Sequence, residues 1–317
     1  MRTMIIMHGL SSEQRERLDS IAPGWRIIQG KEKELWQPHL RDAEIVAGWN
    51  DTAAQECLLP EAKLRWVQCW GAGVDWLPLQ AFADKGVLLT SVSGVHAYPI
   101  SETIFAMMLS LTRKLHVSIR KQINKQWSNP GSLGEIHGKT MGIIGVGAIG
   151  EETARLAKAF HMRVLGVRRS GEPSPFVDRM YDLQGLHEVL AESDYVIVTL
   201  PLTTETRHLF RKAEFEAMKP SAYFINMGRG GTADTEALLH ALNSGRIAGA
   251  GLDVFEQEPL PADHPLWELE QVIITPHNAG LTTVYNERAF EIFARNLQNY
   301  IEERELSANL VDLAKQY

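Results

Sequence analysis

Three side chains suited to acid–base and anion chemistry, Arg229, Glu258 and His277, each stand just past an apolar run of the β type. Their segments are Asn226-Met227-Gly228-Arg229-Gly230-Gly231, Leu252-Asp253-Val254-Phe255-Glu256-Gln257-Glu258-Pro259 and Thr275-Pro276-His277-Asn278-Ala279-Gly280. The carboxyl ends of strands are where open α/β sheets bind ligands. A guanidinium at Arg229 can grip a carboxylate and its neighbouring keto oxygen together, orienting and polarising the carbonyl. An imidazole at His277 can deliver a proton near neutral pH. A carboxylate at Glu258, bonded to that imidazole, would stabilise the imidazolium. These are the groups that reduction of a 2-ketoacid needs once a hydride donor lies beside them. Each alone is ordinary, since a lone His is usually a satisfied structural group and an Arg among glycines is often a turn residue. Glu256 competes with Glu258: two positions apart on an extended chain, both share a face, and periodicity does not choose between them.

The hydride donor is implied further upstream. Thr140-Met141-Gly142-Ile143-Ile144 reads as a buried strand and runs directly into Gly145-Val146-Gly147-Ala148-Ile149-Gly150, with a helical pattern over Glu151–Phe160 behind it. A bare G-x-G-x-x-G is weak, but between a strand and a helix it is the dinucleotide fingerprint. Gly145 permits the tight turn, Gly147 lets backbone approach a pyrophosphate, and Gly150 lets helix and strand pack closely. Ala148 and Ile149 then belong to the helix start whose N–H groups meet the anion. The next apolar run, Arg163–Val167, ends in Arg168-Arg169-Ser170. An NAD site usually has Asp or Glu there, about 20 residues past the turn, to accept from the ribose. Two guanidinium groups and a hydroxyl suit a phosphate dianion instead, so NADP(H) is expected over NAD(H). If these arginines merely decorate a solvated loop, NAD stays an alternative.

Such loops need a scaffold. At 317 residues the chain is too long for one ordinary core, and two domains are expected. Met4–His8, Trp25–Ile28, Ile45–Gly48 and Trp66–Cys69 read as strands, with Ser12–Asp19 and Thr52–Leu58 as helices between them. That alternation predicts a parallel sheet covered on both faces. One continuous helix is expected from about Pro99 to Gln126, with Ile100, Ile104, Met107, Met108 and Leu111 forming a core or subunit-contact stripe. Six further β-type runs follow, at Thr140–Ile144, Arg163–Val167, Tyr195–Leu200, Ala222–Asn226, Gly251–Val254 and Val272–Thr275. They match a doubly wound nucleotide-binding domain. A helix from about Val284 to Glu303 ends the pattern.

Composition narrows the partners. With 44% hydrophobic and 22% charged residues the chain is of ordinary globular type. Its 32 Lys and Arg against 39 Asp and Glu leave a net −7, which gives no grip on a polyanion, so nucleic acid is not an expected partner. No window approaches the ~18 apolar residues of a membrane span. Met1–His8 is too short for a signal peptide and reads as a buried strand, so the expected location is cytoplasmic, with no membrane partner. Cys57 and Cys69 read as free buried thiols, and neither has the spacing of a zinc site.

With the glycine turn, the N-M-G-R-G segment, Glu258-Pro259 and Pro276-His277 together, the chain resembles the D-isomer-specific 2-hydroxyacid dehydrogenases. That family includes glyoxylate/hydroxypyruvate reductases and phosphoglycerate dehydrogenases. The likeness covers nearly the whole length and is strongest from Gly138 to Gly280. It places the family's Arg at Arg229 and its acid–base His at His277. It places the family's Glu, five residues past the strand-end Asp and before a proline, at Glu258, which leaves Glu256 outside. It further implies that Ala72 and Gly73, in Gly71-Ala72-Gly73-Val74-Asp75, offer backbone N–H groups to the substrate carboxylate. Thr199-Leu200-Pro201-Leu202-Thr203 with Thr206 would contact the cofactor, as would Met227, Gly228 and Gly280, and Asp253 would lie near the nicotinamide amide. Trp49 would wall the substrate pocket, although a plain core position explains a tryptophan there more simply.

The fold implied by that resemblance is α/β, with two doubly wound parallel-sheet domains. A Rossmann nucleotide-binding domain over 99–282 would be inserted into a flavodoxin-like substrate domain built from 1–98 and 283–317. Substrate would sit in a cleft that closes about hinges. The resemblance also implies a homodimer formed through the nucleotide domain, which would explain the apolar helix near residues 99–126. The chain ends soon after its last helix, so the C-terminal regulatory domain of some phosphoglycerate dehydrogenases is not expected.

The function expected is NADP(H)-dependent reduction of a small 2-ketoacid such as glyoxylate or hydroxypyruvate, with no metal. An NAD-dependent phosphoglycerate or other D-2-hydroxyacid dehydrogenase would instead turn over faster with NADH. A phosphorylated substrate would also require extra basic groups in its pocket. A dinucleotide-sensing corepressor could keep the same three side chains while acting through partners. Oxidation of reduced cofactor by any ketoacid separates it from the enzymes.

Overall fold

The computed structural model describes residues 1–306 and 308–315. They divide into two compact units, Met1–Val95 with the segment from Thr282 onward, and His96–Leu281. In the first unit Thr3–Ile6 (β1), Arg26–Gln29 (β2), Ile45–Ala47 (β3), Trp66–Gln68 (β4) and Leu88–Thr90 (β5) form a parallel sheet in the order β2-β1-β3-β4-β5. This is the flavodoxin-like order, whose direction reverses between β1 and β3. Side chains alternate across it as a pleat requires. Met4, Ile6, Ile45, Ala47 and Trp66 pack with Phe290, Phe293 and Leu297 of the Tyr285–Ile301 helix. Ile5, Val46 and Val67 pack on the opposite face with Trp36, Ala53 and Phe82. Cys57 and Cys69 are free and buried in this second layer.

The second unit holds Thr140–Ile144 (β6), Arg163–Val167 (β7), Arg179–Tyr181 (β8), Tyr195–Val198 (β9), Tyr223–Asn226 (β10), Gly249–Leu252 (β11) and Val272–Ile274 (β12). All pair in parallel, in the order β12-β11-β10-β9-β6-β7-β8. Chain order reverses between β6 and β9, as in dinucleotide-binding sheets. The sequence pattern predicts six of these seven strands. The exception, β8, is a short edge strand whose Arg179-Met180-Tyr181 carries no apolar run.

The single helix expected over 99–126 is in fact two, Ala97–Thr112 and Leu115–Ile123. Lys114 between them takes a left-handed conformation, φ 50°. The carbonyls that would have continued the helical ladder are satisfied elsewhere. Thr112 accepts from the Gly134 N–H at 3.2 Å, and Ser110 accepts from His116 Nδ1 at 2.9 Å. The stripe of Ile100, Ile104, Met107, Met108 and Leu111 is buried in the longer helix. In the shorter one Leu115, Ile119 and Ile123 are exposed one turn apart. Among the described residues no helix is long and apolar enough to cross a membrane, and no group of three His, Cys, Asp or Glu could hold a metal ion.

Candidate active site

The glycine turn is shaped by close approaches. Gly145 adopts φ 105°, and a Cβ there would stand 3.0 Å from the Leu200 nitrogen. The Thr199 hydroxyl donates to the Gly145 carbonyl at 2.7 Å, tying the segment after β9 to this turn. A Cβ on Gly150 would meet the Gly145 carbonyl oxygen at 2.8 Å, so only hydrogen lets the Ala148–Ala159 helix start this near β6. At Gly147 nothing lies within 4 Å of where a Cβ would be. Open space at the start of a twelve-residue helix fits an incoming pyrophosphate.

Beyond β7, Arg168 folds back on its own loop. It donates to the Pro173 carbonyl at 3.1 Å and lies 3.8 Å from Glu151, yet its buried Nε finds no hydrogen-bond acceptor among the described residues. A buried guanidinium N–H left without an acceptor is costly, whereas the outer nitrogens of this side chain are held by the Pro173 carbonyl and by Glu151. Arg169 is more exposed, 3.9 Å from Glu205, and the Ser170 hydroxyl accepts from the Glu172 N–H at 3.3 Å. Thr206 is buried and its hydroxyl shapes the loop itself, donating to the Pro201 carbonyl at 2.7 Å and accepting from the Thr203 N–H at 2.8 Å.

Asn226, at the end of β10, is the template for the Arg229 turn. Its side chain accepts from the Gly228 N–H at 3.1 Å and donates to the Arg229 carbonyl at 3.2 Å. The Thr232 hydroxyl donates to the same carbonyl at 2.7 Å. A Cβ on Gly228 would collide with the Leu200 carbonyl, and one on Gly230 would overlap the Phe255 carbonyl group. The two glycines flanking Arg229 thus let its turn lie directly against the loops after β9 and β11. Gly230→Ala is expected to lower the stability by ~1–3 kcal/mol, because both colliding atoms are backbone. Thermal unfolding followed by circular dichroism checks it, and an unchanged midpoint would show that the loops can separate freely.

Glu258 and His277 meet. His277 Nδ1 lies 2.6 Å from one Glu258 oxygen, and the other oxygen accepts from the Phe255 N–H at 2.9 Å. A carboxylate acceptor requires Nδ1 to carry the proton, which leaves Nε2 as the nitrogen that gains and loses one. His277 itself is left-handed, φ 49°, a conformation that costs a non-glycine residue ~1–2 kcal/mol. Buried Asp253 holds it there. Its carboxylate accepts from the Thr275 hydroxyl at 2.5 Å, from the Asn278 N–H at 3.0 Å and from the Ala279 N–H at 3.1 Å, while its carbonyl accepts from the His277 N–H at 2.9 Å. Met227 is buried beside the Arg229 turn. Glu256 points elsewhere, to His208 at 2.6 Å and to the Thr235 N–H at 2.9 Å.

His96 is a neighbour that the sequence gives little reason to single out. Its Nδ1 lies 3.1 Å from the Gly280 carbonyl, an atom that can only accept, so Nδ1 is protonated. A Cβ on Gly280 would stand 2.7 Å from that nitrogen, so this glycine admits the ring. Burial lowers the His96 imidazole from its ordinary value. The Gly280 carbonyl opposes that shift, and the charges of Arg229 and His277 add to it. His96 therefore stays neutral at physiological pH and within electrostatic reach of both residues. The signal in the sequence was one histidine just ahead of a helical pattern.

In the first unit, Ala72 and Gly73 lie half-buried in the loop after β4, where the Cys69 sulfur accepts from the Gly71 N–H at 3.3 Å. Trp49, after β3, is half-buried with its ring edge-on to Phe82, centroids 4.9 Å apart.

Residues 105–279 match the D-isomer specific 2-hydroxyacid dehydrogenase, NAD binding domain. Over 84% of its length the chain is 37% identical to a glyoxylate reductase of Thermococcus gammatolerans, covering 82% of that protein. A D-isomer specific 2-hydroxyacid dehydrogenase family protein from Aeromonas salmonicida is 35% identical, with a TM-score of 0.85 over 98% of this chain and 99% of that one. The NADPH-dependent glyoxylate/hydroxypyruvate reductase of Sinorhizobium meliloti, solved with NADP and sulfate, is 28% identical, with a TM-score of 0.83 over 100% of both chains. The chain therefore belongs to the D-isomer specific 2-hydroxyacid dehydrogenase family, NAD(P)-dependent oxidoreductases that act on CH–OH donors.

Proposed function

We propose that the protein reduces a small 2-ketoacid of the glyoxylate or hydroxypyruvate kind, using NADPH. The observation that carries this is the Glu258–His277 hydrogen bond, which commits Nδ1 and leaves Nε2 to exchange a proton. Gly145, Gly147, Ala148, Ile149 and Gly150 would hold the pyrophosphate, and Arg168, Arg169 and Ser170 the 2′-phosphate. Leu200, Pro201, Thr206, Met227, Gly228, Asp253 and Gly280 would border the rest of the dinucleotide. When bound, that cofactor supplies the hydride. Arg229 would then orient the ketoacid by its carboxylate and polarise the keto oxygen, and His277 Nε2 would protonate that oxygen. Glu258 would stabilise the imidazolium and fix its tautomer. Ala72 and Gly73 would offer N–H groups to the substrate carboxylate. In this reading Met1–Val95 belongs to a substrate-binding domain and His96–Leu281 is the nucleotide-binding one.

Support for NADPH comes from Arg168-Arg169-Ser170 and the NADP-bound Sinorhizobium reductase. A cofactor pool kept reduced in the cytoplasm suits reduction there. The exposed Leu115, Ile119 and Ile123 stripe supports a homodimer formed through the nucleotide unit.

The direct test crosses NADPH and NADH against glyoxylate, hydroxypyruvate, pyruvate and bulkier ketoacids, following loss of reduced-cofactor absorbance. The expected result is turnover with the small ketoacids and preference for NADPH. No oxidation with any ketoacid would overturn the assignment. Arg169→Ala should weaken NADPH by about 10-fold or more while barely touching NADH, since charge-assisted bonds to phosphate contribute ~1.5–3 kcal/mol each. Equal losses for both cofactors would remove these arginines from the 2′-phosphate.

A further inference from the structure

We propose that Glu256, with His208, is a positioning residue for the Glu258–His277 pair; this rests on the reading of His277 as proton donor. Glu256 lies two residues before Glu258, and its carboxylate is clamped from two directions. One oxygen accepts from both the backbone N–H (2.9 Å) and the hydroxyl of Thr235, first residue of the Thr235–Asn243 helix. The other lies 2.6 Å from His208 Nε2. Both anchors are rigid. Asp234 caps the helix by accepting from the Ala237 N–H at 2.9 Å, and a helix N-terminus favours a carboxylate beside it. The His208 N–H donates to the Gly231 carbonyl at 2.8 Å, so His208 is fastened to the far side of the Arg229 turn.

The clamp sets the pitch of the loop that presents Glu258. The Phe255–Glu256 peptide lies directly against Gly230, and the Phe255 N–H holds one Glu258 oxygen at 2.9 Å. With that oxygen taken by the loop's own backbone, the other reaches His277 only if residues 255–258 keep their path. Glu256 is what ties that path to the helix and to the Arg229 turn. Partial burial alone would raise the Glu256 carboxyl, but the bonds from Thr235 and His208 outweigh it and hold it below its ordinary value. The Glu256 carboxylate is thus ionised at working pH. Charged or titratable groups around it are His208, with the Arg211 guanidinium on its carbonyl and Glu214 behind, and Arg207 near Gly231. Those around His277 are Glu258, Arg229 and His96.

The test compares Glu256→Ala, Glu256→Gln and His208→Ala, reading reductive kcat against pH together with NADPH binding. Reduction consumes a proton from the imidazolium, so its rate falls as pH rises past the point where His277 loses that proton. With Glu258 displaced, the imidazolium is less stabilised. Glu256→Ala should therefore lower kcat about 10-fold and move the alkaline fall-off about one unit lower, with NADPH affinity unchanged. Glu256→Gln keeps an acceptor for Thr235 and should recover most of both. His208→Ala removes one arm only, serves where Glu256→Ala folds poorly, and should move the fall-off in the same direction. A fall-off unmoved in Glu256→Ala and His208→Ala would overturn the proposal, as would a kcat loss that Gln does not recover. His277→Ala separates the two levels. If it reduces ketoacid as the wild type does, the proton-donor reading fails; if it is inactive while the clamp variants keep the wild-type profile, only the positioning role fails.

Discussion

His277→Ala should lower reductive kcat by ~10²–10⁴-fold while NADPH binds as before. The size follows from the job: without Nε2 the developing alkoxide must take its proton from water. Selectivity follows from the local construction. The His277 backbone, not its ring, is what Asp253 and Thr275 hold, so truncating the side chain leaves the loop in place. Alanine takes the left-handed φ less readily than histidine does, but it carries no β-branch to forbid it. Steady-state kinetics beside fluorescence titration of NADPH make the comparison. Turnover matching the wild type would remove His277 from the chemistry, and a parallel collapse of cofactor affinity would show a structural role instead.

Arg229→Ala is expected to lower kcat by ~10²–10³-fold, the usual cost of one donor to a developing oxyanion, and to raise KM for the ketoacid as well. The turn should survive, because Asn226 and Thr232 grip the Arg229 carbonyl, which the substitution leaves untouched. Thermal midpoint and NADPH affinity therefore serve as controls that stay put. Arg229→Lys should recover little, since an ammonium cannot span carboxylate and keto oxygen as a planar fork does. Full recovery by lysine would mean that the site needs only a positive charge at this position.

Much of this is legible in the amino-acid sequence. Strands β6, β7, β9, β10, β11 and β12 are buried in a parallel sheet, so each appears as an apolar run. β8 is a three-residue strand without such a run, and hydrogen bonding to β7 defines it more than composition does. The break at Lys114 was invisible for a related reason. The groups that end the first helix come from Gly134 and His116, and their partnership exists only in three dimensions.

The candidate site divides in the same way. Motif spacing singled out Glu258 over Glu256 only through family resemblance; the structure supplies the physical distinction, because one carboxylate faces an imidazole and the other a helix start. Asn226 opens the Asn226-Met227-Gly228-Arg229 motif, but its bonds to Gly228 and Arg229 cannot be read from spacing. His96 lay outside every motif. Only the folded chain brings it to Gly280.

The two buried sulfurs carry a practical consequence. Burial pushes the Cys57 thiol up to about 12 and raises that of Cys69 too. Alkylating and oxidising reagents attack the thiolate, so both residues are nearly inert until the backbone around them opens. Cys57 closes a helix against the Leu40 carbonyl, whereas Cys69 sits beneath the Gly71–Gly73 loop. Their labelling rates in the native protein therefore time two different breathing events, one of the core and one of that loop, without adding any probe to the chain.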